Sequence, residues 1–423
     1  MEILTVPPGG TPPVIENRDG FRNAINALRL GSGPIAIDAE RASGYRYSAR
    51  AYLIQFFRRE GGLHLFDPIQ LSGAPEISEL NEILADEESV IHASSQDLDC
   101  LREFGLDPKR LFDTELGARI AGCEKVGLGA LCENLLEIQI AKEHSAVDWS
   151  HRPLKSEWLD YAALDVALLI DIRDAVEKLL LESGKLQWAS QEFSNALRVA
   201  PPKIRREPWR RTSGMHQIKS RFDLAIVREL WNARDEIARD LDIAPGRLLS
   251  DLVIVELAQK KPDSFESLLE LSIVRERIRH EHQKAQLRTW WKVLSGVYEM
   301  DQSHWPDMRA RGEGLPPPKV WRDKYPIAYI HYQHARLLLT EIASGLKLPL
   351  ENLLTPDLVK RVIFDEGNER TYINKEECRA KVSQVLEEGN ARPWQKDLTI
   401  DALVQALGES ELPITPIESP PVE

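Results

Sequence analysis

Two carboxylates stand two residues apart at the end of a short apolar segment. Asp38 and Glu40 follow residues 35–37, which have the composition of a buried strand introduced by Gly33 and Pro34. Alternate side chains of an extended chain point to the same side, so both carboxylates project together. Like charges held this close repel each other, and a cation between them relieves the repulsion. The pair is therefore a candidate metal site, with an exposed acidic strand end as the alternative.

Two more acidic residues are placed to join this pair. Asp97 lies where a short apolar strand runs into a helix, and Asp165 lies on a long helix predicted over 157–181. Tyr161 precedes Asp165 by four residues and shares its helix face, so the two can also form a plain hydrogen-bonded pair. Asp99 competes with Asp97, but the two point about 200° apart around a helix and cannot face the same ion.

Strand ends and adjacent helix termini gather at one edge of the sheet in an α/β fold. Four carboxylates at such an edge can hold two divalent cations about 3.5–4 Å apart. Oxygen ligands favour Mg²⁺ or Mn²⁺ over Zn²⁺. A metal pair of this kind suits phosphodiester hydrolysis, in which Tyr161 would orient the attacking water. The candidate ligands are Asp38, Glu40, Asp97 and Asp165.

The elements that must position these residues are short and alternate in type. Strands predicted near 35–40, 51–57 and 63–66 form an antiparallel meander, and helices follow over 17–30 and 75–85. A further aspartate, Asp113, is placed to cap the helix that follows it. From 222 to 298 no strand pattern appears, which predicts an all-α unit. A helix, a proline-containing loop and a short helix recur after residue 328, which suggests a duplicated helical module.

Composition narrows the class of protein. The chain has 423 residues, a net charge of −13 and four scattered cysteines without a CxxC pair. This length suggests two to four domains, and the cysteine pattern favours free thiols in a reducing cytoplasm. The sequence has no run of about 18 apolar residues for a membrane span and no secretory leader pattern. We therefore expect a cytoplasmic protein without a membrane partner, and a monomer is the default.

The acidic net charge argues weakly against a nucleic-acid partner, but cations are concentrated between Arg198 and Arg221. Such a stretch is most often a solvated linker. Trp209 lies within it beside Arg210 and Arg211, and an aromatic side chain among arginines can stack on a base. These three residues are candidate nucleic-acid contacts.

Three segments carry a specific resemblance. Residues 37–40 with 52–56, residues 92–98 and residues 161–166 resemble, in order, the three motifs of the DEDD superfamily of 3′→5′ exonucleases. Tyrosine at 161 corresponds to the branch with tyrosine in the third motif, and the chain is most similar there to ribonuclease D. The resemblance covers about residues 17–185.

The resemblance implies a ribonuclease H-like mixed sheet flanked by helices, followed by two all-α domains similar to HRDC domains. Asp38, Glu40, Asp97, Tyr161 and Asp165 would then be catalytic. Further RNA contacts are expected at Gln55, His92 and Arg152, although His92 is also well suited to a structural role. The expected boundaries are a disordered amino terminus (1–15), an exonuclease domain (16–197), a basic linker (198–215), a first helical domain (216–300), a linker (301–324), a second helical domain (325–408) and a disordered tail (409–423).

The family's activity would be metal-dependent removal of nucleoside 5′-monophosphates from RNA 3′ ends, with tRNA precursors and other stable RNAs as substrates. The metal would be a pair of Mg²⁺ or Mn²⁺ ions. Two alternatives remain open from the sequence: a 3′→5′ DNA exonuclease, and a catalytically inactive nucleic-acid-binding scaffold.

Overall fold

A computed structural model describes residues 3–140, 146–198, 206–309, 315–365, 368–369 and 374–408. The predicted disordered tail, 409–423, lies outside the described residues, as does the part of the basic linker at 199–205. Within the described residues, no helix combines the length and hydrophobicity that a membrane span requires.

A mixed sheet forms the centre of the amino-terminal half. The strands of the described chain are β1 (Ile3–Leu4), β2 (Val14–Ile15), β3 (Ser32–Arg41), β4 (Ala51–Arg59), β5 (Gly62–Phe66), β6 (Ser89–Ile91), β7 (Leu111–Asp113), β8 (Gln139–Ile140), β9 (Phe364–Asp365) and β10 (Asn368–Glu369). Six of these described strands form the sheet in the order β2-β5-β4-β3-β6-β7. The predicted antiparallel meander is β3-β4-β5, and β6 and β7 extend it in parallel. The mixed sheet confirms the predicted fold class.

Strand β3 is long because it runs through the middle of the sheet. Ile35, Ala36 and Ile37 are fully buried, as expected for a strand that is covered on both faces. Its register with β4 places Asp38 opposite Gln55, and the pairing becomes irregular between Glu40 and Arg41. The acidic end of β3 therefore lies where the regular sheet ends, which frees these side chains to face a cavity.

Helices cover the sheet. They are α1 (Arg18–Leu30), α2 (Ile77–Asp86), α3 (Leu98–Phe104), α4 (Thr114–Ala121), α5 (Leu128–Leu136), α6 (Ser156–Ala167), α7 (Leu169–Glu182) and α8 (Leu186–Arg198). The single helix predicted over 157–181 is thus two helices that meet at Leu168. This break separates α6, which packs against β3 and β4, from α7, which packs against α4 and α5.

The amino-terminal segment is not the disordered stretch that its proline and glycine content predicted. Strand β1 pairs in parallel with β8, and β2 pairs in parallel with β5 at the edge of the main sheet. The Thr11 hydroxyl donates to the Asp160 carboxylate at 2.5 Å. Backbone pairing with distant strands orders this segment, and composition alone does not reveal such pairing.

The first helical unit has a core of its own. Its helices are α9 (Arg221–Asp240), α10 (Pro245–Leu248), α11 (Asp251–Lys260), α12 (Phe265–Glu270), α13 (Ser272–Arg277), α14 (Glu281–Lys284) and α15 (Leu287–Tyr298). Leu230 and Trp290 are fully buried in this core, and Trp209 packs into the same cluster. Part of the predicted linker therefore belongs to this unit: residues Pro208–Arg211 and Met215–Gln217 form short 3₁₀ turns against it.

The second helical unit follows a similar plan. Its helices are α16 (Pro318–Lys324), α17 (Pro326–Gly345), α18 (Leu350–Leu353), α19 (Pro356–Ile363), α20 (Lys375–Glu388) and α21 (Pro393–Gly408). The 20-residue α17, the four-residue α18 and the short α19 repeat the order of α9, α10 and α11. This repetition agrees with the duplicated module that the sequence suggested.

The second unit nevertheless shares one continuous hydrophobic cluster with the exonuclease domain. Trp394 stacks on Trp188 with ring centroids 5.1 Å apart. The buried Glu192 carboxylate accepts hydrogen bonds from Trp394 Nε1 at 2.9 Å and from Arg392 Nε at 2.6 Å. Lys185 Nζ donates to the Leu346 carbonyl at 2.6 Å. Aromatic stacking and satisfied buried charges therefore join the two parts of the chain.

We predict that Trp394→Ala destabilises the protein by about 3–5 kcal/mol, because it leaves a cavity and removes one donor to the buried Glu192. Urea unfolding followed by far-ultraviolet circular dichroism measures this loss. Trp394→Phe is the matched control, since it retains a stacked ring and should lose much less stability. Equal transition midpoints for Trp394→Ala and wild type would contradict this account of the interface.

Candidate active site

Carboxylates from two separate elements meet at the end of β3. Carboxylate oxygens of Asp38, Glu40 and Asp165 all lie within 4.8 Å of one another. Asp97, at the start of α3, is close enough that its charge interacts with that of Asp38. The structure thus brings together the four acidic residues that the sequence singled out, while Asp99 is exposed and faces Arg102.

A buried aspartate holds the backbone turn that presents Asp97. Asp113 accepts hydrogen bonds from the backbone N–H groups of Ala93 at 3.2 Å and Ser94 at 2.8 Å, and from the Ser94 hydroxyl at 2.7 Å. It also caps α4 by accepting from the Leu116 N–H at 3.0 Å, as the sequence predicted. Ala93 adopts a left-handed conformation with φ of 55°. Asp113 therefore stabilises a strained turn whose direction sets the position of Asp97.

Helix α6 delivers the other half of the site. It packs across β3 and β4, which orients Asp165 toward the end of β3. The Tyr161 hydroxyl, one turn earlier, is hydrogen-bonded to the Asp165 carboxylate. The plain hydrogen-bonded pair considered from the sequence is thus present, and it lies within the carboxylate cluster.

Mutual repulsion and burial raise the pKa values of the cluster. Loss of solvent around the charge is the main cause for all four carboxyl groups, and neighbouring carboxylates add to it. The pKa of Glu40 is well above its usual range, and that of Asp165 is raised to about 8. Arg41 opposes the trend, with Nε 3.8 Å from Asp97 Oδ1. The site is therefore an unbalanced concentration of negative charge.

This donor set fits a hard divalent cation. Oxygen atoms within 4.8 Å of one another match ligands around Mg²⁺, which takes oxygens at about 2.0–2.1 Å on opposite sides of the ion. The described residues around the cluster offer no histidine or cysteine in a metal-ligand group with it, and oxygen-only ligation favours Mg²⁺ or Mn²⁺. A bound cation would also supply the positive charge that these carboxylates lack.

The cluster lies on the wall of a cavity of about 440 Å³. The opposite wall is the loop after β3, including Ser43, Gly44 and Tyr45. The first helical unit holds this loop: Ala244 N–H donates to the Tyr45 carbonyl at 2.9 Å, and Asp242 accepts from the Ser48 N–H at 2.8 Å. One wall of the catalytic cavity thus depends on a contact between domains.

Several expected RNA contacts have other roles in the structure. Gln55 is fully buried in the sheet, so its side chain cannot reach a substrate. Arg152 is used structurally, since it donates to Asp67 at 2.8 Å and to the Tyr52 carbonyl at 2.7 Å. His92 lines the cavity, and its Nδ1 lies 2.9 Å from the Thr114 hydroxyl, so a structural role and a rim position coexist.

The aromatic residue of the basic linker is not a base-stacking platform. Trp209 is 4% exposed in the core of the first helical unit. The Arg210 guanidinium covers its ring at 4.3 Å and pairs with Glu207 at 2.8 Å. Arg211 is exposed. Hydrophobic burial decides the role of Trp209, because an indole in a short turn gains more by entering a nearby core than by staying in water.

Arg41 and Tyr45 are site residues that the sequence analysis did not single out. Arg41 directly follows Glu40, and this adjacency to the acidic pair was an available signal. Tyr45 lies in a polar loop with no motif, so its place in the cavity wall follows only from the folded structure.

Comparison with known proteins agrees with this geometry. Residues 12–181 match the family model described as 3′-5′ exonuclease, 223–285 match the HRDC domain, and 314–407 match the 3′ to 5′ exonuclease C-terminal domain. A ribonuclease D of Granulibacter bethesdensis is 34% identical over 204 residues, which are 46% of this chain and 51% of that protein. The chain belongs to the ribonuclease D family of 3′→5′ exonucleases. It therefore spans about half the length of this curated relative.

Solved structures extend the similarity along the chain. A protein from Bifidobacterium adolescentis is 34% identical with a TM-score of 0.86, covering 96% of this chain and all of that one (100%). Escherichia coli RNase D, an exoribonuclease involved in structured RNA processing, shares the fold with a TM-score of 0.61 at 23% identity, covering 89% of this chain and 98% of that one. Within the ribonuclease D family assignment, the second helical unit matches the exonuclease C-terminal domain model, and the HRDC model matches the first unit.

The raised pKa values predict that the metal-free protein loses stability as the pH rises. A carboxyl group with a raised folded-state pKa favours folding below its unfolded-state pKa of about 3.9, and this contribution is lost as the pH rises through the folded-state pKa, about 8 for Asp165. The melting temperature without metal should therefore fall between pH of about 4 and 8. Millimolar Mg²⁺ should raise it more at the upper end of this range than at the lower end.

Thermal melts with Mg²⁺ or with chelator test this, and Asp165→Asn is the control because it removes one repelling charge. The variant should show a shallower pH dependence without metal. A stabilisation by Mg²⁺ that is the same across the pH range would show that the cluster is not the site of binding.

Proposed function

We propose that this protein is a divalent-metal-dependent 3′→5′ exoribonuclease that releases nucleoside 5′-monophosphates from RNA 3′ ends. The observation that carries the proposal is the convergence of three carboxylates within 4.8 Å beside Asp97 and Tyr161, on the wall of one cavity. Membership in the ribonuclease D family supports the reaction type. The proposed substrates are tRNA precursors and other stable RNAs, and the proposed active species is a monomer.

The proposed role of Asp38, Glu40, Asp97 and Asp165 is to hold two divalent cations, Mg²⁺ or Mn²⁺. Such ions, when bound, supply an activated water and stabilise charge on the leaving 3′ oxygen. The carboxylates contribute fixed geometry, because β3 and α6 are rigid elements anchored in the core. Arg41, which lies beside Asp97, lowers the repulsion within the cluster when it carries fewer cations.

Tyr161 is proposed to orient the attacking water. Burial and neighbouring carboxylates raise the pKa of Tyr161 above its usual value, so its hydroxyl stays protonated at neutral pH. A protonated hydroxyl can donate one hydrogen bond to Asp165 and accept another from water. Tyr161 therefore acts by position rather than by removing a proton.

Single substitutions test these roles. Asp38→Asn or Asp97→Asn should lower the hydrolysis rate of single-stranded RNA in Mg²⁺ by roughly a thousandfold or more, because metal-ion catalysis supplies several kcal/mol. Tyr161→Phe should lose roughly 10- to 100-fold, as for other residues that hydrogen-bond a metal ligand. Gel assays of a 5′-labelled RNA measure both. Asp99→Asn is the matched control on the same helix, and it should retain full activity; wild-type activity in Asp38→Asn would refute the proposal.

The substrate class is tested with matched RNA and DNA strands of identical sequence. We predict faster trimming of RNA, with laddered products that shorten from the 3′ end and mononucleotides in the soluble fraction. Preference for the DNA strand would indicate a DNA exonuclease instead. Binding of either strand without hydrolysis in Mg²⁺ and in Mn²⁺ would indicate an inactive scaffold.

A further inference from the structure

The first helical unit carries a second cavity, of about 690 Å³, whose lining is rich in cations. Arg277 ends α13, and Arg279 and His280 follow it before α14. We call this the cationic cavity; its principal lining residues are Arg247, Glu276, Arg277, Arg279, His280 and His282. Three arginines and two histidines face one glutamate in it, although the whole chain has a net charge of −13.

The arginines of the cationic cavity are not neutralised by the protein. In the part of the chain that the structure describes, no carboxylate oxygen lies within 4.0 Å of a guanidinium nitrogen of Arg247, Arg277 or Arg279. Elsewhere in the same unit arginines are paired, as Arg234 is with Asp251 at 2.7 Å. Unpaired cations that surround a concave surface attract an anionic ligand.

Buried hydrogen bonds fix the arrangement of this cavity. Gln283 is 7% exposed, and its Oε1 accepts from the backbone N–H groups of Arg279 at 2.9 Å and His280 at 3.0 Å. Its Nε2 donates to the Arg247 carbonyl at 2.7 Å. One buried amide therefore ties the segment before α14 to α10 and sets the spacing of the cations. This is a preorganised site rather than a chance cluster of flexible side chains.

Arg247 connects the cationic cavity to the catalytic cavity. Its guanidinium carbon lies 3.8 Å from the centre of the Tyr45 ring, and its Nε donates to the Gly44 carbonyl at 2.6 Å. Gly44 and Tyr45 line the cavity that contains the carboxylate cluster. A chain leaving the catalytic cavity over this wall therefore passes Arg247 and enters the cationic cavity.

We infer that the cationic cavity binds the phosphate backbone of single-stranded RNA upstream of the 3′ end that lies in the catalytic cavity. This inference rests on the proposed function. Guanidinium groups bind phosphate through paired N–H donors, and such contacts act on the backbone rather than on base sequence. The cationic cavity thus contributes affinity for longer RNAs without taking part in the chemistry.

Salt-dependent binding of RNA tests the inference. The probe is a fluorescent single-stranded RNA of about 20 nucleotides, and Asp38→Asn protein with Mg²⁺ is the background, so that the RNA stays intact. Adding Arg277→Gln and Arg279→Gln removes two cations. This should lower the slope of log affinity against log salt by about 1.4, which is about 0.7 for each phosphate contact on a single strand. The matched control is Lys260→Gln with Lys292→Gln, two exposed cations of the same unit outside the cavity lining.

Hydrolysis by the otherwise wild-type enzyme separates this inference from the proposed function. Arg277→Gln with Arg279→Gln should raise KM for the long RNA and leave kcat/KM for a dinucleotide unchanged, because a dinucleotide does not extend into the cationic cavity. Circular dichroism confirms folding of both double variants. An unchanged salt slope, or an equal loss for the dinucleotide, would overturn the inference. If wild type hydrolyses no nucleic acid, the proposed function fails while the binding slopes still decide whether the cationic cavity contacts RNA.

Discussion

The repulsion among carboxylates at the end of β3 is the constraint on which the rest of the structure depends. Burial raises the pKa of each member, so the cluster opposes folding at neutral pH until cations compensate it. The fold resists this repulsion by anchoring every carboxylate in a rigid element. Asp38 and Glu40 are held by a central strand, Asp165 by a helix packed across that strand, and Asp97 by the hydrogen bonds of Asp113 to the preceding turn. Stability is therefore lower at the place where a metal would bind, as expected of a functional site.

The two helical units serve this centre in different ways. The carboxyl-terminal unit shares a hydrophobic core with the exonuclease domain through Trp188 and Trp394, which makes it part of the scaffold. The HRDC unit keeps a separate core and contacts the exonuclease domain through polar groups, among them Tyr47 with Asp235 at 3.1 Å. Interfaces of the second kind are more easily loosened. The loop that forms a wall of the catalytic cavity is thus held by the weaker of the two attachments.

Local pattern was sufficient to predict the candidate ligands, whereas nonlocal packing determined what the sequence missed. The spacing of Asp38 and Glu40 and the helical register of Tyr161 and Asp165 follow from neighbouring residues alone, and the sheet and helices around them were predicted for the same reason. Burial of Trp209 and of Gln55, by contrast, depends on contacts with residues far along the chain. The amino-terminal strands were missed because their partners, β5 and β8, lie at least 50 residues away.

The distribution of charge reconciles an acidic protein with an anionic substrate. Long-range repulsion between a net charge of −13 and RNA is screened beyond about 8 Å at physiological ionic strength. What a strand meets at contact distance is then local: cations held by the carboxylate cluster at one cavity, and unpaired arginines at the other. Arg247 lies between them and is fixed against Tyr45, so the same guanidinium that braces the catalytic wall also begins the cationic surface. An acidic exterior with two neighbouring sites of positive potential would disfavour nonspecific coating by RNA while leaving a defined path for a single 3′ end.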